Sequence, residues 1–291
     1  MCRKPFRKGL IAFPCCQCMP CRHRAKKVWQ HRLILESFCH GDCAFVTATY
    51  EKTPENGSLS VRDYQLWLKR MRADLGPFRY YIVGEYGEEG MRPHYHAALF
   101  GISPLYAEQI QRTWDLGFTY TGDLTVASAA YVAGYVTKKL TSPDGPHNYE
   151  YRRAAGILLG ARLPEFARMS LKPGIGATAV PTIGRSLTTD QGCDIILQQG
   201  DVPTSLKMEN RTMALGRYMR RKLREELGFK EVGGQEGWLL RATQGLCALQ
   251  EDYERNAKDK KSYFQFQAET RKQKVLNIES RLKSINKGGL L

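Results

Sequence analysis

The stretch FRYYIVGEYGEEGMRPHYHAALF, residues 78–100, decides the fold that the sequence predicts. Aromatic, β-branched and other apolar residues fill both of its ends, which is typical of β-strands. Residues 78–86 form one predicted strand and residues 94–100 form the next. The segment between them, Gly-Glu-Glu-Gly at 87–90, predicts a turn. The pair therefore predicts an antiparallel hairpin at the centre of a domain.

The segments on either side of this hairpin predict further strands and helices. Residues 44–50 are rich in β-branched and aromatic side chains and predict a strand, while residues 60–75 carry apolar side chains at helical spacing. After the hairpin the sequence predicts a short helix from Ser103, a strand at 117–120 and a helix over 125–140. This order predicts an α+β fold, an antiparallel sheet with flanking helices.

Composition divides the chain into four predicted parts. A basic segment at 1–43 holds seven of the nine cysteines, and the α+β core follows at 44–141. Residues 142–250 predict an accessory region packed on the core, including a basic helix over 210–227. Residues 251–291 predict a charged helical tail.

The charge of the chain limits its partners. A formal net charge of +15 favours a polyanion through attraction and counterion release, and nucleic acid and an anionic membrane surface both meet this condition. No apolar run approaches the roughly 20 residues of a spanning helix. The apolar segment behind the basic N-terminus is too short for a signal peptide. We therefore expect a soluble, cytoplasmic protein without a membrane partner.

The clustered cysteines are candidate ligands of a structural zinc ion. Intracellular thiols stay reduced, so a disulfide framework is not expected. Cys18 and Cys21 have the spacing of a zinc knuckle, and Cys15 can supply another thiolate. Cys39 and Cys43 are the best candidates for the rest of a four-ligand site. Small buried thiols without metal are the alternative.

The central hairpin carries a second candidate metal site. His94 and His96 alternate along a predicted strand, so both imidazoles point to one face. The turn brings Glu85 beside them, although Glu88 and Glu89 compete for this role. One carboxylate and two imidazoles can hold Mg²⁺ or Mn²⁺ and leave positions open for water and phosphate oxygen. Two core histidines and a solvated glutamate are the structural alternative.

The segment YVAGYVTKK, residues 131–139, supplies candidate nucleophiles. Tyr131 and Tyr135 lie four residues apart and share a helix face, with Lys138 one turn further. Such a pair is more often core packing, but here it lies in the same domain as the metal site. A phenol with a pKa of about 10 attacks phosphate only with help from a metal and a cation. The candidate DNA-binding residues are Lys139 and Arg92.

The order strand, Glu, His-x-His and then Tyr-x-x-Lys on a helix resembles the motif order of HUH-family single-strand endonucleases. The second tyrosine resembles the two-tyrosine subgroup found in replication initiators of small single-stranded DNA phages. The segments PCCQCMPCR at 14–22, KPGIG at 172–176 and RYM at 217–219 look like those of microvirus, gokushovirus-type initiators. The resemblance spans residues 14–227 and is most specific over 45–139.

This resemblance implies an HUH endonuclease core and rolling-circle replication. One tyrosine attacks an origin in single-stranded DNA, which forms a 5′-phosphotyrosyl link and frees a 3′-OH that primes synthesis. The other tyrosine later cleaves the regenerated junction, and the released 3′-OH rejoins the displaced strand. The sequence contains no G-x-x-x-x-G-K-[ST] loop, so helicase and polymerase are expected from the host, in the bacterial cytoplasm.

Other functions fit parts of the same pattern. A zinc-dependent nucleic-acid-binding protein without catalysis would use the cysteines and basic helices alone. An HUH transposase or a relaxase would use the same core, although relaxases usually carry a third histidine where Ala98 stands here. A metal-dependent hydrolase that activates water would need Glu85, His94 and His96 but neither tyrosine.

Overall fold

The structure is a computed structural model that describes residues 2–9, 11–16, 18–87, 90–134, 162–208, 211–229, 234–257 and 261–287. The strands are β1 (Phe6–Lys8), β2 (Ile11–Phe13), β3 (Cys43–Tyr50), β4 (Arg79–Tyr86), β5 (Pro93–Phe100), β6 (Gly117–Asp123), β7 (Phe166–Met169), β8 (Ser205–Met208) and β9 (Arg211–Ala214). The α-helices are α1 (Met19–Ser37), α2 (Val61–Leu75), α3 (Ala107–Thr113), α4 (Val126–Gly134), α5 (Val180–Leu187), α6 (Asp190–Gln199), α7 (Gly216–Glu226), α8 (Gly234–Asn256) and α9 (Tyr263–Lys287).

A five-stranded antiparallel sheet in the order β6-β3-β5-β4-β7 forms the centre of the fold. The predicted hairpin is β4–β5, and the Gly87 N–H donates to the Arg92 carbonyl at 3.0 Å where the chain reverses. The prediction of an α+β fold with an antiparallel sheet, flanking helices, an N-terminal cysteine cluster and C-terminal helices is confirmed.

The two faces of the sheet differ in what covers them. Even-numbered residues of β3 are buried and pack with Trp67 and Met71 of α2 in the largest core. Ser60 begins α2, because its hydroxyl accepts from the Asp63 N–H at 3.2 Å. Odd-numbered residues of β3 point to the opposite face. The small residues Ala129 and Ala133 of α4 are buried on that face, so the helix approaches the sheet closely.

Residues 25–228 form one compact unit, and residues 1–24 together with 229–291 form another. The four segments predicted from composition are a finer division and stay a prediction. In the larger unit, α5 and α7 pack with the β8–β9 hairpin in a second core. In the smaller unit, β1 and β2 form a ribbon, and the Arg3 guanidinium pairs with the buried Glu279 of α9.

Two predictions of helices are corrected. The basic helix predicted over 210–227 begins only at Gly216, and residues 211–214 form β9 instead. Gly216 has a φ of 67°, which favours glycine and separates strand from helix. The tail is two helices, because Ser262 and Gln265 cap a new helix reciprocally: the Ser262 N–H donates to Oε1 at 3.0 Å and the Gln265 N–H to Oγ at 3.3 Å.

The fully buried Glu36 of α1 joins distant parts of the larger unit. Its carboxylate pairs with the Arg79 guanidinium and accepts from the Gly176 N–H at 2.5 Å and the Thr178 hydroxyl at 2.6 Å. Burial raises the pKa of Glu36, but these hydrogen bonds outweigh burial and hold the pKa below its usual value. A carboxyl whose pKa is depressed by folding stabilises the fold above its unfolded pKa of about 4.3.

We expect Glu36→Ala to lower the free energy of unfolding by about 3–5 kcal/mol at neutral pH, because it leaves the Arg79 cation buried without its partner. Glu36→Gln, which keeps the volume, is the matched control and should cost less. Urea unfolding at pH 7 and at progressively lower pH measures both. The difference between wild type and Glu36→Ala should shrink as the pH falls through the pKa of Glu36 in the folded chain. A difference independent of pH would contradict this role.

Candidate metal centre

Glu85, His94 and His96 lie together on the face of the sheet that α4 partly covers. In the β4–β5 register Glu85 is opposite His94, and Val83 is opposite His96. Oε1 of Glu85 lies 2.5 Å from Nε2 of His94 and 3.0 Å from Nε2 of His96. The structure therefore brings together the three residues that the sequence predicts as ligands. The competing Glu88 and Glu89 lie outside the described residues.

The two imidazoles are oriented from behind. Nδ1 of His94 lies 3.1 Å from the Arg92 carbonyl oxygen, which can only accept, so Nδ1 carries the proton. Nδ1 of His96 lies 2.8 Å from the Thr47 hydroxyl. When Nδ1 is the donor, Nε2 presents a lone pair, which is the arrangement of metal-binding histidines.

The donor set fits a divalent cation. Glu85 is 3% exposed, and its Oε2 atom is buried without a hydrogen-bond partner among the described residues. Burial raises the pKa of Glu85, but hydrogen bonds from His94 and His96 lower it to a net value below the ordinary one. A carboxylate and two Nε2 lone pairs thus converge on one point, where a cation would neutralise their repulsion.

Tyr131 places a hydroxyl at the edge of this group. Its oxygen lies 3.4 Å from Nε2 of His96, and the two rings meet edge to face with centroids 4.9 Å apart. Phe45 stacks on the other side of the imidazole at 5.8 Å and meets the Tyr131 ring edge-on at 6.1 Å. Tyr131 remains 37% exposed, so a substrate can approach it.

The remaining residues predicted around this site are placed only in part. Tyr135, Lys138 and Lys139 lie outside the described residues, and their roles stay predictions. Arg92 is exposed, and its guanidinium donates to the Tyr50 carbonyl at 2.5 Å and the Glu51 carbonyl at 3.4 Å. Arg92 thus lies at the end of β3, and its contact with DNA stays a prediction.

A second group of potential ligands consists of four cysteines in the smaller unit. The sulfur atoms of Cys2, Cys15, Cys18 and Cys21 all lie within 4.8 Å of one another. Sequence reasoning missed Cys2. The signal was the short β1–β2 ribbon, whose reversal returns the chain to the N-terminus, so that the Cys15 N–H donates to the Cys2 sulfur at 3.2 Å.

The expectation that Cys39 and Cys43 complete this group is wrong for the structure as described. Their thiols turn back on the last turn of α1, where Cys39 donates to the Leu35 carbonyl at 3.5 Å and Cys43 to the Ser37 carbonyl at 3.8 Å. Both cysteines flank the chain reversal that joins α1 to β3. Local hydrogen bonding to the helix end therefore accounts for their positions.

Residues 43–140 match the sequence profile of the replication-associated protein ORF2 family. The chain is a relative of phage replication-associated proteins. It is 32% identical over 165 residues to replication-associated protein VP4 of Bdellovibrio phage phiMH2K, which covers 48% of this chain and 52% of that protein. It is 31% identical over 160 residues to replication-associated protein ORF2 of Spiroplasma virus 4, with 45% and 49% covered. No solved structure matches the chain.

These similarities confirm the resemblance to replication proteins of small phages. A third relative, replication-associated protein ORF4 of Chlamydia phage 1, is 25% identical over 151 residues, with 43% of this chain and 38% of that protein covered. The chain spans about half the length, or less, of these relatives. The family match includes Glu85, His94, His96 and Tyr131. Within the described residues, no helix combines the length and apolar character needed to cross a bilayer.

Proposed function

We propose that the chain initiates DNA replication by nicking single-stranded DNA at an origin through attack of a tyrosine. The observation that carries this proposal is the Tyr131 hydroxyl, 3.4 Å from Nε2 of His96 and thus beside the Glu85, His94 and His96 group. A phenol at core positions has no reason to meet a cluster of metal-binding donors. The family match over residues 43–140 supports a role in replication independently of this geometry.

The proposed reaction exchanges one phosphate ester for another. Mg²⁺ or Mn²⁺ held by Glu85, His94 and His96 would polarise the scissile phosphate. The Tyr131 oxygen attacks phosphorus and loses its proton, the bond from phosphorus to the 3′ oxygen breaks, and that oxygen takes up a proton. The products are a 5′-phosphotyrosyl link and a free 3′-OH. No ester bond is lost overall, so rejoining needs no nucleotide triphosphate.

A second tyrosine completes the proposed cycle. Tyr135 carries the Tyr-x-x-Lys motif with Lys138, which would favour the developing negative charge on the phosphoryl oxygens. Two nucleophiles allow one to cleave the regenerated junction while the other holds the displaced strand, as rolling-circle replication requires. Helicase and polymerase would come from the host cytoplasm.

The direct test is incubation of the chain with Mn²⁺ or Mg²⁺ and labelled single-stranded oligonucleotides that tile the genome encoding it. We expect a protein–DNA band that survives denaturation, appears with one origin sequence and disappears with chelator. Binding without cleavage would favour the non-catalytic alternative. Cleavage without a covalent band would favour a hydrolase that activates water. An adduct formed only with the ends of a mobile element would favour a transposase.

For the smaller unit we propose a structural zinc ion held by Cys2, Cys15, Cys18 and Cys21. Zinc–sulfur bonds of about 2.3 Å in a tetrahedron place sulfurs about 3.8 Å apart, and the Cys2 and Cys18 sulfurs are 4.0 Å apart. The Cys18 N–H donates to the Cys15 sulfur at 3.4 Å, as suits a thiolate. Burial raises the pKa of the Cys2 and Cys21 thiols, so metal binding must displace their protons and should weaken as the pH falls.

Cys2→Ser is expected to abolish stoichiometric zinc binding and to lower the melting temperature of the chain, because three thiolates cannot close the site. Cys39→Ser is the matched control, since its thiol lies outside the four-cysteine group and donates to a helix carbonyl. Elemental analysis of the purified protein and zinc release on titration with a chromogenic chelator measure both. Equal zinc content in the two variants would contradict this ligand set.

A further inference from the structure

Two aromatic side chains project from β6, the outer strand of the described sheet. Phe118 is 62% exposed and Tyr120 is 67% exposed. Residues two apart on a strand share one face, so both rings project from the same side of β6. Singly exposed aromatic residues are common, but a pair on an outer strand is a liability for aggregation. The pair therefore calls for a reason beyond chance.

The sheet register puts these rings on the same face as the metal centre. Thr47 of β3 is opposite Tyr120 on one side and opposite His96 on the other, and directly opposed residues share a face. Thr49 relates Phe118 to His94 in the same way. β6 and β5 are separated by β3 alone, so the rings start about 10 Å from the histidines.

Tyr120 lies flat along its strand. A Cβ atom at Gly122 would be 3.2 Å from the Tyr120 hydroxyl, so the ring extends over the glycine backbone. Gly122 leaves this space open because it has no side chain. A ring held from below in this way offers its other side to a planar ligand.

A cation lies at the end of this strand pair. The Arg92 guanidinium binds the Tyr50 and Glu51 carbonyls, and Tyr50 is paired with Gly117, next to Phe118. Arg92 is exposed, so it can also meet a phosphate. Metal centre, cation and aromatic pair thus follow one another on one side of the sheet.

We propose that Phe118 and Tyr120 form a stacking platform for unpaired bases of the DNA strand next to the scissile phosphate. The proposal rests on the proposed function and names how that site holds its substrate. Single-stranded DNA is the occupant because its bases expose their faces, whereas duplex DNA buries them in the stack. The charge of +15 supplies attraction to the backbone, and the rings supply stacking, which tolerates any base.

The test is fluorescence anisotropy of a labelled single-stranded oligonucleotide in chelator, where binding is measured without cleavage. Phe118→Ala and Tyr120→Ala should each weaken binding about five- to 150-fold, which corresponds to 1–3 kcal/mol per stacked base. Tyr120→Phe keeps the ring and should bind like wild type, whereas Tyr120→Leu should not. The matched control is Phe38→Ala, which removes a ring that is 65% exposed near the opposite end of the sheet.

An oligonucleotide with abasic sites gives a second measurement. Wild type should bind it more weakly than the intact oligonucleotide, and Phe118→Ala/Tyr120→Ala should lose this discrimination. If wild type nicks DNA and the double variant binds both oligonucleotides as wild type does, the platform is overturned while the proposed function stands. If wild type neither binds nor nicks single-stranded DNA, the proposed function fails and the platform with it.

Discussion

His96→Ala is expected to slow metal-dependent cleavage of single-stranded DNA by at least about a thousandfold. Loss of preorganised charge stabilisation at one atom of a transition state typically costs a hundred- to a thousandfold. Here the loss also weakens the metal site, because Nε2 of His96 lies 3.0 Å from Oε1 of Glu85 at the point where the three donors converge. Rates under single-turnover conditions, measured across a titration of Mn²⁺, separate weaker metal binding from slower chemistry.

Two variants bound the interpretation of this result. Thr47→Val removes the hydroxyl 2.8 Å from Nδ1 of His96 but keeps the ligand, and we expect a smaller loss of ten- to a hundredfold. His40→Ala changes a histidine that contacts Phe100, at the far end of β5, and should cleave like wild type. His96→Ala with full activity, or with a loss no larger than that of His40→Ala, would remove the metal centre from the account.

Tyr131→Phe/Tyr135→Phe is expected to abolish the covalent adduct while leaving binding of single-stranded DNA unchanged. The double variant removes both proposed nucleophiles and no other atoms, and loss of a nucleophile reduces turnover to background. Phenylalanine keeps the Tyr131 ring against His96 and Phe45, so the packing of α4 should persist. Denaturing gels report the adduct, and anisotropy in chelator reports binding.

The matched control for the tyrosine variants is Tyr253→Phe, which removes a hydroxyl from α8 in the smaller unit. This variant should form the adduct as wild type does. A double variant that still carries DNA through denaturation would show that another residue attacks. A double variant that cleaves at the wild-type rate and releases free 5′ ends would show that water is the nucleophile.

The centre of the fold was predictable because its signals are local. The alternation of His94 and His96, together with the turn at 87–90, specifies a hairpin whose register sets Glu85 opposite His94. The length of β6 was underestimated: residues 121–123 extend the strand predicted at 117–120. Their pairing with β3 outweighs their weak strand propensity.

Other features depend on contacts that a sequence does not display. β7 is four residues long and completes the sheet only by pairing with β4. The inclusion of Cys2 in the cysteine cluster requires the β1–β2 reversal, which no spacing rule encodes. The approach of Tyr131 to His96 depends on Ala129 and Ala133 packing α4 onto the sheet. Their small size is visible in the sequence, but the distance that it permits is not.

Mass spectrometry of the protease-digested adduct tests the central claim most directly. Wild type is incubated with origin DNA and Mn²⁺, the DNA is trimmed with nuclease, and the modified peptide is sequenced. The account predicts a 5′-phosphonucleotide on Tyr131 or Tyr135, with none formed by Glu85→Gln or His96→Ala. A nucleotide on any other residue, or adduct formation undiminished in those two variants, would contradict it.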